Sequence, residues 1–207
     1  MKKQSPPQIT QTEQRIKEAA REVFLKHGLE NARTADIAAL SESNPSLIFY
    51  HFRSKEKLYQ LIMLEELNVF LKSLVPILKD PDTEFEKKVE LIVERYTCLV
   101  SQGPHVAMFV LTEMLKRHSA VKIAIKKMSN TLRTSVMSEQ LRGAVSRGKY
   151  KSISFAHVIM NVTGLTVFPV IAGPIISIMG GMKQAEYDQL VRDRQREITA
   201  WVLNMLR

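Results

Sequence analysis

The sequence predicts an all-α protein with a three-helix N-terminal head and a larger helical C-terminal body, and three observations carry that expectation. Apolar residues recur at spacings of three and four between Ser, Thr, Asn and Asp caps along most of the 207 residues. No segment alternates apolar and polar residues between turn dipeptides, as a half-buried strand would. The stretch Thr34 to Leu58, TADIAALSESNPSLIFYHFRSKEKL, fits two very short helices and the start of a third into twenty-five residues.

The elements follow in order. Residues 1–9 are polar and proline-bearing, which predicts a disordered tail, and Met1 to Pro7 lacks the apolar core of a signal peptide, which predicts a cytoplasmic protein. Thr10-Gln11-Thr12-Glu13 has capping-box spacing, so a first helix starts there, buries Ile16, Ala19, Ala20, Val23 and Phe24, and runs to His27, where Gly28 stops it. Thr34 is placed to cap a second helix facing inward through Ile37, Ala38 and Leu40. Ser41-Glu42-Ser43 is then too short for anything but a sharp turn. Asn44 is a favoured cap and Pro45 suits a first helical position, so a third helix begins at Pro45 and packs through Ile48 and Phe52. That leaves Ser46, Leu47, Phe49, Tyr50 and His51 on or near the outer face. Outward aromatic residues on a short braced helix fit insertion into the major groove, about 12 Å wide, where the first turns of a helix meet base edges. Ser54 caps a further helix at Lys55, whose ammonium is expected beside the third helix, where a phosphate would lie.

Phe49-Tyr50-His51-Phe52-Arg53-Ser54-Lys55-Glu56-Lys57-Leu58 resembles the Tyr-x-His-Phe-Lys-x-Lys-Glu-x-Leu signature of the TetR family of bacterial transcriptional regulators. Arg15 to Gly28 is similar to that family's first helix, and Val167-Phe168-Pro169 with Gly173-Pro174 resembles a late-helix segment of some members. Three departures stand out. The family's usual Ala-Gly-Val turn is Ser41-Glu42-Ser43 here, so Glu occupies the place of a glycine able to turn left-handed. Phe49 stands where the family often has Tyr, keeping the ring without its hydroxyl. Pro45 and Leu47 stand where some members carry polar base-readers, which shifts the expected readout toward Ser46, apolar contacts and DNA shape. The DNA-facing set is therefore Thr34, Asn44, Pro45, Ser46, Leu47, Phe49, Tyr50, His51 and Lys55. Within it Thr34, Tyr50, His51 and Lys55 are assigned to phosphates, and Ser46, Leu47 and Phe49 to base edges.

Residues 1–53 are expected to form this head and residues 54–207 the ligand-binding and dimerisation body. The helix from Lys55 carries Leu58, Leu61, Ile62, Leu64, Leu67, Phe70 and Leu71 before Pro76 and should bridge the two. Asp80-Pro81-Asp82 is expected to cap the next helix, which uses Phe85, Val89, Ile92, Val93, Tyr96 and Leu99 until Gly103-Pro104 breaks it, with Cys98 facing the core. A short helix follows through Val106, Phe109, Val110, Met114 and Leu115, then a long one from Val121 to Val145 that ends near Gly148. Ser152 to Met182 contains no Asp, Glu, Lys or Arg, a length that could span a bilayer, but Asn161, Pro169, Gly173, Pro174 and Gly180-Gly181 argue for two shorter buried helices and no membrane. A final helix from Lys183 to Leu206 sets Tyr187, Leu190, Val191, Ile198, Trp201, Val202, Met205 and Leu206 against a charged face.

Composition narrows the function classes. At 45% hydrophobic and 25% charged residues the chain is ordinary globular protein, and a net charge of +9 favours a polyanionic partner. Residues 1–58 hold ten Lys/Arg against seven Asp/Glu, so charge alone does not locate the DNA site. The basic stretches Lys116 to Lys127 and Arg142 to Lys151 are expected to be solvated helix faces. Gly143 to Tyr150 nearly spells a phosphate-binding loop, but Tyr150 stands where Ser or Thr must hold magnesium. His27, His51, His105, His118 and His157 lack metal-ligand spacing, and no catalytic constellation stands out. No cofactor, no metal and no enzyme activity are expected.

The resemblance implies a homodimer paired through its last two helices, a palindromic double-stranded DNA operator, and a small-molecule effector of unknown identity held among the middle helices. Tyr96, His105, Phe109, Glu113, Asn161, Thr163 and Phe168 are the candidate pocket residues, because they combine apolar lining with a few polar anchors. The expected function is a ligand-released repressor. The competing readings are a helical protein–protein adaptor and a small membrane-associated helical protein.

Overall fold

The structure, a computed structural model, describes residues 10–101, 104–116 and 119–207. The tail 1–9, Gly103 and His118 lie outside the described residues. The chain divides into two compact units, one ending at Glu65 and the other formed by Glu66–Arg207. That division lies inside a helix, twelve residues beyond the boundary expected at 53.

The first unit contains α1 (Gln11–Asn31), α2 (Thr34–Leu40), α3 (Pro45–Phe52) and the beginning of α4 (Lys55–Lys79). Thr10 Oγ1 accepts the Glu13 N–H at 3.2 Å, as its capping position requires. Gly28, at φ 70°, breaks the helical run, after which one more turn reaches Asn31. Ile16, Ala20, Phe24, Ile37, Ile48, Leu58 and Ile62 are fully buried, and Phe24 meets Tyr59 edge-on at 5.2 Å. Two expectations are corrected. Arg33, not Thr34, occupies the cap of α2, and Thr34 is the first helical residue without a side-chain cap bond. Leu40 is 49% exposed, because at 100° per residue it points away from the side that Ile37 and Ala38 bury.

The second unit adds α5 (Phe85–Ser101), α6 (His105–Leu115), α7 (Ala120–Arg133), α8 (Val136–Ser146), α9 (Phe155–Gly180) and α10 (Gln184–Leu206). Helices α5, α9 and α10 pack on one another, and α6, α7 and α8 complete the unit. No strand occurs among the described residues. Helix α4 continues through Pro76 to Lys79. Asp80 does not cap α5. Its carboxylate accepts the Asp82 N–H at 3.0 Å and the Thr83 hydroxyl, closing the α4–α5 connection. The single long helix expected from Val121 to Val145 is two. Thr134 ends α7 and Ser135 caps α8, its Oγ accepting the Ser138 N–H at 3.1 Å. Cys98 is exposed rather than core-facing, and Met114 and Leu115 are exposed as well.

The charge-free segment also forms one helix of 26 residues, not two. Pro169 and Pro174 lie inside it. Pro169 has no N–H for the Leu165 carbonyl, and the Arg194 Nε–H of α10 reaches that oxygen at 3.4 Å. The Tyr187 hydroxyl of α10 donates to the Pro169 carbonyl, and Tyr187 lies against Gly173, where a Cβ would stand 2.9 Å from the ring. The glycine at the helix centre is thus a seat for an aromatic ring. By length and composition α9 could cross a membrane, with a mean hydropathy of 1.9 over its most apolar window and only 28% of that window buried.

Candidate nucleic-acid interface and effector cavity

Helix α3 is set in place from both ends and from behind. Asn44 Oδ1 accepts the Ser46 N–H at 3.0 Å and Pro45 fills the first helical position. Ile48 and Phe52 are buried. On the outer side Phe49 is 48% and Tyr50 75% exposed. Asn44, Pro45 and Ser46 are exposed, and Leu47 and His51 are half-buried. The Ser46 hydroxyl donates to Asn44 Oδ1 at 3.0 Å, which orients the one hydroxyl at the start of the helix. Tyr50 and His51 meet edge-on with ring centroids 5.1 Å apart. All nine expected DNA-facing residues therefore lie wholly or partly at the surface of this unit, with Thr34 at the start of α2 and Lys55 at the start of α4 half-buried.

Lys55 differs. Its Nζ donates to the carbonyls of Leu29 at 2.9 Å and Ala32 at 3.1 Å, so its ammonium ties the start of α4 to the end of α1. Two other cations, which the sequence did not single out, flank the short helices. Arg33 at the cap of α2 and Arg53 after α3 are both exposed. Their signal in the sequence is position: each flanks one of the two short helices.

Residues 16–62 match the family described as bacterial regulatory proteins, tetR family. The N-terminal segment is that of the TetR family of transcriptional regulators. Across a larger span, the regulator is similar to the HTH-type transcriptional repressor NicS of Pseudomonas putida, at 25% identity over 167 residues that cover 78% of this chain and 76% of that protein. A 48-residue stretch is 40% identical to the HTH-type transcriptional regulator QacR of Staphylococcus aureus, covering 23% and 26% of the two chains. Among solved structures, that of the transcriptional regulator FadR from Bacillus subtilis in complex with stearoyl-CoA aligns with a TM-score of 0.55 at 15% identity. It covers 90% of this chain and 97% of the other.

The regulator's second unit encloses an apolar cavity of about 270 Å³ between α4, α5, α6, α7 and α9. Tyr96 and Thr163 line it as expected, with the Thr163 hydroxyl donating to Tyr96 Oη at 3.1 Å and Phe70 meeting the Tyr96 ring edge-on at 4.8 Å. Burial raises the Tyr96 phenol above its ordinary pKa, against the opposing hydrogen bond from Thr163. His105, Phe109, Glu113, Asn161 and Phe168 are not among the lining residues. Phe109 is core, and Glu113 is buried where it pairs with Lys116 and accepts the Ser119 hydroxyl at 3.2 Å. Phe168 instead lies in an open groove between α9 and α10, with Leu190 and Trp201. The lining positions missed by the sequence, such as Ser129 and Ile125, sit on α7, whose apolar face had looked like ordinary core.

The near phosphate-loop sequence resolves into a helix end. Gly148, at φ 71°, closes α8 as the Gly148 N–H donates to Val145 O and the Lys149 N–H to Ala144 O, each at 3.0 Å. Tyr150 is buried and donates to Glu86 at 2.5 Å. No group of three or more possible metal ligands occurs among the described residues.

Proposed function

We propose that the protein is a cytoplasmic repressor that binds a palindromic operator as a homodimer and is released by a small effector held in its second unit. One observation carries the DNA reading: α3 buries Ile48 and Phe52 while Ser46, Phe49 and Tyr50 face outward. A short helix held in this way presents its first turns to base edges, and two copies at a two-fold axis read two half-sites. Base contacts fall to Ser46, Leu47 and Phe49, with Asn44 and Pro45 shaping the entry. Phosphate contacts fall to Thr34, Tyr50, His51 and the exposed arginines Arg33 and Arg53. Selection of bound sequences from random DNA tests the reading. A two-fold symmetric consensus supports it, and the absence of any sequence preference at moderate ionic strength overturns it.

The homodimer is supported by the surface of the last two helices. On α9, Phe168, Ile175, Ile178 and Met179 are exposed, and on α10 Leu190, Trp201 and Met205. The α9 residues recur seven, ten and eleven positions from Phe168 and so form one stripe. An apolar stripe of that length marks an association surface. The length and low burial of α9 also fit a membrane span. A protein partner is favoured because α10, carrying Asp193, Arg194 and Arg196, packs along α9 and donates to its carbonyls, which would bring charged side chains into hydrocarbon.

A further inference from the structure

We infer that the effector is a small uncharged molecule, largely hydrocarbon, with one hydrogen-bond acceptor that meets the Tyr96 hydroxyl. This rests on the effector reading above and adds the chemical class.

Among the described lining residues only Tyr96, Ser129 and Thr163 carry polar side chains. None is charged. A carboxylate, phosphate or ammonium drawn into this space would lose its hydration and gain no opposite charge, which costs several kcal/mol even after relaxation. The one acidic residue of the expected pocket set, Glu113, does not line the cavity and is already committed to Lys116 and Ser119. The volume, about 270 Å³, lies just under the ~300 Å³ at which pockets for drug-sized ligands begin, so the occupant is small.

The polar groups narrow the class further. The Ser129 hydroxyl donates to the Lys126 carbonyl at 2.8 Å, a bond within its own helix. The Thr163 hydroxyl donates to Tyr96 Oη. The phenolic hydrogen of Tyr96 remains to be given, and burial keeps it in place by raising the phenol's pKa. A ketone, ether, ester or alcohol oxygen accepts such a hydrogen without carrying charge, while the hydrocarbon remainder packs on side chains such as Leu74, Ile92 and Val110.

The experiment compares 1-decanol, decanoate and decyltrimethylammonium on the full chain by isothermal titration calorimetry, with thermal shift as a second readout. The expected result is that decanol binds and raises Tm, with both ions at least tenfold weaker. An ion that binds less than tenfold weaker, or no binding by any of the three, overturns the inference. Ala107→Leu, which fills the cavity from α6, should abolish decanol binding, and retained affinity would place the site elsewhere and overturn it too. Tyr96→Phe should weaken decanol about three- to tenfold, the value of one net hydrogen bond, and leave toluene binding unchanged. Equal decanol affinity in Tyr96→Phe, or an equal loss for toluene, removes the hydroxyl from its assigned role. A mobility shift with the selected operator separates the two layers: decanol bound without operator release defeats the effector reading and leaves the ligand class standing.

Discussion

Glu42 does in this chain what Gly148 and Gly181 do elsewhere in it. At the end of α2 its N–H donates to Ala39 O at 3.2 Å and the Ser43 N–H donates to Ala38 O at 2.9 Å, the same pair of bonds that closes α8 and α9. Closing a helix in this way needs a left-handed residue, and Glu42 adopts φ 50° despite its Cβ. Left-handed backbone costs a residue with a side chain roughly 1–2 kcal/mol, part of which glycine returns through a freer unfolded chain. The exposed Arg15–Glu42 pair, at 3.6 Å, contributes little. Glu42→Gly is therefore expected to stabilise the protein by about 0.5–1 kcal/mol in a denaturant titration, and a destabilised variant would contradict the account. The turn was legible in Ser41-Glu42-Ser43 because its length left no other path, and the resemblance set Glu42 in the place of the left-handed glycine; that glutamate itself adopts that backbone was not legible, because its side chain disfavours it. The carbonyl partners of Lys55 were hidden for a related reason, since its position in the signature says nothing of which acceptors its ammonium finds. With Nζ on two carbonyls at the end of α1, Lys55→Ala should lower stability by about 1–3 kcal/mol and leave the salt dependence of operator binding intact. Arg53→Ala should flatten that dependence by roughly 0.9 for each phosphate it no longer neutralises, one at each half-site. If Lys55→Ala flattens the slope while the protein keeps its stability, the assignments are reversed.

At the level of the helix, the sequence showed starts better than ends. Thr10, Asn44, Ser54, Ser119 and Ser135 each accept a backbone N–H of a first turn, and all but the last two were read as caps. The prolines misled. Pro76, Pro169 and Pro174 lie inside helices that continue past them, and what allows this at Pro169 is remote in sequence: Arg194 reaches the carbonyl that proline leaves without a partner. A three-dimensional compensation of that kind leaves no local mark. The two central glycines of α9 separate packing from propensity. Gly164 has open space where a Cβ would stand, so Gly164→Ala should stabilise by about 1 kcal/mol. Gly173→Ala gains the same propensity but drives a Cβ to 2.9 Å from the Tyr187 ring, which is buried and held by its bond to Pro169. Overpacking of a fixed ring costs about 1–3 kcal/mol, and the net effect should be destabilising. Thermal melts of the two variants decide it, and equal stabilisation by both would remove Tyr187 from its seat on Gly173.

For the whole molecule, the pairing surface proposed on α9 and α10 would decide how many DNA-reading heads act together. Phe168, Ile175, Ile178 and Met179 cost solvation in a lone chain and gain it back only against a partner. Once two chains are joined, the second half-site is met at the effective concentration set by the pairing, so affinity for a palindrome can exceed that for one half-site by 10²–10⁴ with no added interaction. Phe168→Glu with Ile175→Glu places like charges across the proposed two-fold axis while touching no buried core position. Sedimentation should then show monomers with an unchanged helical signal in circular dichroism. Affinity for the full operator should fall at least tenfold, toward that for a single half-site, which itself should be unaffected. Because the heads are not altered, the ratio of the two affinities is the informative quantity. A double variant that stays dimeric, or that becomes monomeric yet holds the full operator as tightly as before, would separate this surface from DNA recognition and return the apolar stripe of α9 to the membrane reading.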